Sequence, residues 1–395
     1  MWKKCLVAVV VLSSSVAACS SESVSASDLS NVVRNDGIPF QTESIPSEVV
    51  EFLAPFQVVV LGETHLIREH HELVPALVAE LHTLGFRQLL LEWPYGADWV
   101  MADYVSGGNL VPAWRPPDSL YGRMITGLRD LNLTLSENQR VTVRGIDVNL
   151  DDYGGAAIIR ESLRDISGWL DDTVPIEEFL TSPYATADDQ VAALEQFRDA
   201  LDADSVMLES TWGADWYLSI SEMVDVERAS VTIRELRDDG YDQSVRLRED
   251  EMKRLADLRI AEYDSGTVIN VGGNHAQKER LKGTSQEWLG DYLVHQSEEA
   301  GGSVVSLVFV AGEIVADFPN APPDYRVSAK SPENELFRLM NETWPGQIVF
   351  LPFGDAVFAE GGVSLNFEDT IYVTSPKRHY DAAVVYPIAH RIPLP

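Results

Sequence analysis

The chain has 395 residues, 45% of them apolar, with 30 Lys and Arg against 62 Asp and Glu, a formal charge of −32. So acidic a surface repels phosphate backbones and anionic headgroups, which argues against nucleic acid as a partner. Ordinary glycine (26) and proline (20) contents exclude a collagen-like or low-complexity chain, and the length allows a large core without disulfides.

Lys3 and Lys4 precede a seven-residue apolar run, Leu6 to Leu12, too short to span a bilayer but suited to a signal peptide. Ala17-Ala18-Cys19-Ser20 follows and resembles the lipobox of bacterial lipoproteins. That resemblance implies cleavage after residue 18, a lipidated Cys19 and a place in the bacterial cell envelope; Ser20 points to the outer membrane. Cys5 leaves with the signal, so the folded part keeps no thiol. Loss of Lys3 and Lys4 takes the charge from 30 − 62 to 28 − 62, or −34. Residues 19–45 are expected to be the lipidated cysteine and a flexible tether, and 46–395 the folded domain.

Val58-Val59-Val60-Leu61 is an unbroken apolar run ended by Gly62, the pattern of a strand buried on both faces of a parallel sheet. Leu73, Val74, Leu77, Val78, Leu81 and Leu84 have helical spacing up to Gly85, with Pro75 expected in the first turn or at a kink. Leu89-Leu90-Leu91 then completes a β-α-β unit. Further strands are expected at 141–146, 268–271, 304–310, 348–351 and 382–386. Between the third and fourth strands, residues 154–265 are polar and helical in pattern, with single long helices over 206–237 and 245–260. The Pro-rich stretch 317–345 is expected as an excursion over the surface. These elements predict an α/β fold, a mainly parallel sheet flanked by helices with an inserted helical subdomain.

Ligands of such sheets bind beyond the carboxyl ends of the strands. Strand one is followed by Gly62-Glu63-Thr64-His65, with His70-His71 a turn later. Strand two runs into Glu92, strand three into Asp147, and strand four into Gly272-Gly273-Asn274-His275. Four strands therefore deliver Glu63, His65, Glu92, Asp147 and His275 to one edge. A histidine beside a glutamate can act as a general base on water. The same types can bind a divalent metal, with His65, Glu92 and His275 as ligands, although no His-Glu-x-x-His spacing is present. Neither a Gly-x-Ser-x-Gly elbow nor a Walker loop occurs. Gly62 suits a tight turn, and Gly272-Gly273 a close backbone approach to a ligand. Neighbours on a helix face different ways, so one of His70 and His71 at most is expected in the site. Arg248 opens the last helix of the insert within a charge run that reads first as a solvated face, yet it is placed to reach the pocket and hold an anion. Trp212, Trp216 and Tyr217 are expected in the core or in an apolar lid.

Leu61-Gly62-Glu63-Thr64-His65 with His70-His71, the strand ending in Glu92, Arg248-Glu249-Asp250-Glu251-Met252, and Gly273-Asn274-His275-Ala276 together resemble the erythromycin-esterase-like, ChaN-like and Tiki group. The closing Tyr380-Asp381-Ala382-Ala383 resembles the end of the esterase-like domain. The esterase-like branch implies hydrolysis of an ester or related bond, with His65 as base, Glu63 and Glu92 as supporting acids and His275 as a second catalyst. Glu92 and Asp147 would then fix the water and the pocket geometry, and His275 and Arg248 would stabilise the developing oxyanion. The ChaN-like branch implies a membrane-anchored haem carrier with His70 or His71, His65 and His275 as possible ligands; the Tiki branch implies a metal-dependent peptidase. The expected partners are a small-molecule substrate or haem, and a membrane through Cys19.

Overall fold

Val58–Glu63 forms a strand in which every residue is buried, and the sheet is built outward from it on both sides. The computed structural model describes residues 26–42, 44–109, 122–149, 186–263, 265–280, 285–316, 335–359, 365–367, 371–373 and 375–392. The signal segment and Cys19 lie outside them, as do residues 154–185 of the helical stretch and 317–334 of the Pro-rich one. In chain order the first half runs α1 (Ala26–Asp36), β1 (Ile38–Phe40), α2 (Ser47–Leu53), β2 (Val58–Glu63), α3 (Arg68–His82), β3 (Phe86–Pro94), α4 (Asp98–Val105), α5 (Gly122–Leu133) and β4 (Thr142–Asp147). Next come α6 (Ala187–Ala203), α7 (Ser205–Trp212), α8 (Ala214–Asp239), α9 (Tyr241–Ala261), β5 (Gly266–Gly272), α10 (Leu289–His295), β6 (Val304–Ala311) and β7 (Ile314–Val315). The chain closes with α11 (Glu335–Thr343), β8 (Ile348–Pro352), β9 (Leu365–Phe367), β10 (Ile371–Val373), α12 (Pro376–His379), β11 (Ala382–Tyr386) and β12 (Ala389–His390).

Eight strands make one sheet in the order β1-β8-β11-β6-β2-β5-β3-β4. From β11 to β4 every neighbour is parallel; β8 and β1 are antiparallel additions at one edge. Successive strand residues divide between two cores. Val58, Val60, Leu90, Ile269, Val271 and Val308 join helices α1, α6 to α11 on one face, while Val59, Leu61, Leu89, Leu91, Val268 and Leu307 join α2 to α5 on the other. That is the period of two expected of strands covered on both sides. A fully buried Val or Leu contributes about 1.5–3 kcal/mol, so the central strands are where the sheet is most strongly held.

Several expectations are corrected. Residues 26–40 are not tether, because Leu29, Val32 and Val33 give α1 an apolar face that is buried, and Ile38–Phe40 pairs with β8. The helix expected over 206–237 is two, split at Gly213, whose φ of 99° lies outside the helical region. Glu335–Thr343, at the end of the stretch expected as an excursion, is helical. Pro75 sits in the interior of α3, where its missing N–H removes the helical bond to the His71 carbonyl. Tyr217 is buried as expected, whereas Trp212 is 40% exposed. No described helix is long and apolar enough to cross a membrane.

The chain visits β2, β3 and β4 in one direction, then returns through β5, between β2 and β3, to β6 beyond β2. The strand order thus reverses around β2 and β5, and the crevice at their carboxyl ends is where a doubly wound sheet opens to a ligand.

Candidate active site

The end of β2 places Glu63 inside the protein and His65 at its surface. Glu63 is buried, whereas the His65 ring is 47% exposed, with Nδ1 2.9 Å from Glu63 Oε1. A carboxylate only accepts, so Nδ1–H donates and Nε2 is the ring nitrogen on the side away from Glu63. Glu63 Oε2 receives His70 Nε2 at 3.1 Å and Asn270 Nδ2 at 3.2 Å, with His71 Nε2 3.7 Å away. His70 Nε2 is also 2.7 Å from Asn270 Oδ1, so this nitrogen carries its proton. Both His70 and His71 therefore turn towards Glu63, contrary to the expectation of one at most. The carboxylate lies beneath the first turn of α3, within reach of two imidazoles that leave the helix a hundred degrees apart. Burial raises the pKa of Glu63, but hydrogen bonds from His65, His70 and His71 outweigh it and hold the group well below the usual carboxylate range. Burial lowers that of His71, which stays neutral despite Glu63.

A second cluster is built on the ends of β3, β4 and β5 and on α9. Arg248 forks onto Asp147, Nε to Oδ1 at 2.9 Å and Nη2 to Oδ2 at 2.6 Å, and Nη2 reaches Glu92 Oε1 at 2.5 Å. Glu92 Oε2 accepts the Gly272 N–H at 2.6 Å, and His275 Nε2 is 3.3 Å from Glu92 Oε1. His275 Nδ1 is bonded to Glu249, which is fully buried. Burial disfavours the His275 imidazolium, yet Glu249 and Glu92 more than offset this and push its pKa up to about 10. Glu92 is likewise raised by burial and drawn well below the usual range by His275 and Arg248. Arg248 is held charged by Asp147 and Glu92 against its own desolvation. The cluster is thus a fixed array of ions rather than a set of groups poised to exchange protons.

The two clusters meet at Gly272. A Cβ there would lie 2.8 Å from His65 Nε2 and 3.3 Å from Glu92 Oε2, so His65 Nε2 and the Glu92 carboxylate lie side by side against this glycine. Gly62 is needed for room rather than for a turn, because its Cβ would lie 2.7 Å from that of Ala276. Nor do the amides of Gly272 and Gly273 address a ligand; they donate to Glu92 and to the Glu63 carbonyl, the latter at 2.9 Å. Leu66, next to His65, has φ of 66°, a left-handed conformation that costs a non-glycine residue about 1–2 kcal/mol.

His65, Glu92 and His275 do not suit a metal. Both His275 nitrogens face carboxylates, and ligation requires an unprotonated ring. Among the described residues no group of three or more His, Asp or Glu is disposed to hold one. His70 and His71 are wholly buried, so neither presents a nitrogen to a ligand as large as haem. A half-exposed imidazole with one nitrogen fixed by a buried carboxylate is instead suited to taking a proton from water.

No family model matches the sequence, and no curated protein sequence is similar to it. Solved structures are similar in fold. One is a Bacillus cereus protein, with a TM-score of 0.70 at 15% identity over 93% of this chain and 98% of that one. Another is a histidine-to-asparagine variant of the erythromycin esterase EreC in its open conformation, at 0.65 and 13% over 90% and 97%. A third, described as a succinoglycan biosynthesis protein, gives 0.64 and 15% over 92% and 97%. The chain has the erythromycin-esterase-like fold.

On this erythromycin-esterase-like sheet the structure brings Glu63, His65, His70, His71, Glu92, Asp147, Arg248 and His275 to one edge. Sequence reasoning missed Glu249 and Asn270. Glu249 lay in a charge run read as a solvated face, and its place in the Arg248–Met252 motif that carries the resemblance was the available signal. Asn270 stands inside an apolar strand run, where a buried amide needs partners, and that was the available signal.

Proposed function

We propose that the chain is a hydrolase in which His65 activates water for attack on an ester or related bond. The observation that carries this is the His65–Glu63 pair: a half-exposed imidazole whose Nδ1 donates to a buried carboxylate held well below its usual pKa, with Nε2 beside the Gly272 crevice. In the reaction His65 Nε2 takes a proton from water as its oxygen bonds to the carbonyl carbon. The resulting imidazolium is stabilised by Glu63 and returns the proton to the departing alkoxide as the carbon–oxygen bond breaks. Arg248 spends Nε and Nη2 on Asp147 and Glu92, which leaves Nη1, with no hydrogen bond to a described residue, to face the developing oxyanion. His275 and Glu249 keep Glu92 ionised and in place; they support the site rather than exchange protons in it. The fold shared with an erythromycin esterase supports hydrolysis as the reaction class.

The same reading places the enzyme at a membrane face of the cell envelope. Its support is the sequence alone: Lys3 and Lys4, the apolar run, and small residues before Cys19. A form starting at Ser20 should be assayed against macrolides, lactones and simple esters beside His65→Ala. Turnover by the parent that is lost in a folded His65→Ala is the expected result. Equal turnover by both would remove His65 from the mechanism, and inactivity of the parent across the panel would count against a hydrolase. Radiolabelled palmitate incorporated into the full chain, and absent from Cys19→Ala, tests the anchor.

A further inference from the structure

We infer that the segment Ala389–Ile392 clamps the loop bearing His65 in its reactive geometry, with Glu69 and His390 as positioning residues. The inference rests on the reading of His65 as the base. Residues 64–67 link β2 to α3, and Leu66 in that link is the one non-glycine residue with positive φ among those described. Contact between its Cβ and backbone disfavours this conformation, so local preference does not hold the turn. Nor does the helix that follows, because its N-cap, Ile67, has no side-chain hydrogen bond to the first turn.

The turn is held from the far end of the fold. Ile392 N–H donates to the Leu66 carbonyl at 2.8 Å, and Ile67 forms an antiparallel bridge with Arg391. His390 grips Glu69 twice, its backbone N–H 2.8 Å from Oε2 and its Nδ1 2.5 Å from Oε1. On its other side the segment is anchored to β7, with Ala389 N–H donating to Glu313 O at 2.7 Å and Arg391 N–H to Val315 O at 2.8 Å. Ile67, Ala389 and Ile392 are buried, so the clamp is seated on the core. Its bonds fall at the Leu66 carbonyl and at two of the three residues that follow, Ile67 and Glu69, while Glu63 fixes the residue before. His65 is thus stretched between a rigid strand and a clamped helix start, which holds its ring on Glu63.

The test is hydrogen exchange by mass spectrometry on the full chain, combined with steady-state kinetics, for His390→Ala and Glu69→Gln, each alone and with Leu66→Gly. Loss of the clamp should speed exchange over residues 64–69 about ten-fold, the factor that matches the left-handed penalty it opposes, with 58–63 unchanged. It should lower kcat by a similar factor with KM preserved. Glycine adopts positive φ without a Cβ conflict, so Leu66→Gly should restore part of the lost kcat. A merely structural contact would give no such rescue. Unchanged exchange in both variants overturns the clamp whatever the activity, and faster exchange with unchanged kcat overturns its hold on His65. If the parent hydrolyses no ester, the hydrolase reading fails and the exchange result alone decides the clamp. Should His390→Ala not fold, the isosteric Glu69→Gln reads the same exchange.

Discussion

His65 and His275 are the same residue type at the ends of neighbouring strands, and their surroundings give them opposite work. His65 is half in water, and its partner Glu63 keeps other donors when it is removed. His65→Ala should therefore cost about 1 kcal/mol of stability, that of one hydrogen bond, but 10²–10⁴-fold in kcat by loss of the base. His275→Ala leaves Glu92 and Glu249 without their shared cation and should cost roughly 3–5 kcal/mol in chemical denaturation. Similar stability losses in the two variants would refute this division of roles. The same ions set the pH dependence. His275 titrates near pH 10 when folded and near 6.5 when unfolded, so its contribution is complete below about 6.5 and is lost as pH rises towards 10. Glu63 and Glu92 titrate below their unfolded value near 4.3, so their contribution is complete above it and is lost on acidification. Unfolding free energy should thus fall by about 1.4 kcal/mol per unit between pH 7 and 9, and a flat profile there would show that His275 is not ionised.

Seven of the eight strands of the main sheet were legible in the sequence; β1, which lay in the expected tether, and the strand order were not. Val58-Val59-Val60-Leu61 and the later runs are apolar because both faces are covered, and that pattern is local. The insertion of β5 between β2 and β3 depends on pairing between distant segments, to which no local signal corresponds. The same distinction divides the site. Glu63, His65, Glu92, Asp147 and His275 could be found by reading off the ends of strands, whereas Glu249 on α9 and the link from His390 to Glu69 required the tertiary arrangement. β5 offers a test at this scale. In Gly272→Ala the added carbon meets the tip of the His65 ring, which can swing away, so the protein should fold with a small change in Tm. The displaced base should lower kcat by about 10²-fold, as a 1 Å misplacement does. Unchanged kcat would place the working nitrogen of His65 elsewhere.

Taken whole, the molecule carries 32 negative charges in excess, spread over a fold whose buried ions are largely paired. Raising the salt from about 10 to 150 mM shortens the Debye length from roughly 30 to 8 Å, which should relieve repulsion across the surface while leaving the buried pairs unscreened. Tm should rise with salt while kcat on a neutral ester stays constant; a falling Tm would mean that exposed attractive pairs dominate. Glu63 and Asn270, hydrogen-bonded at 3.2 Å, stand 207 positions apart, and β2 finds its other neighbour only in β6. During synthesis the wholly buried strand β2 is therefore made early and must wait, edges bare, until most of the chain has followed. The crevice at the ends of β2 and β5 is among the last features to form, and a nascent chain that stalls before residue 304 has no second neighbour for β2 and an uncovered strand edge open to aggregation.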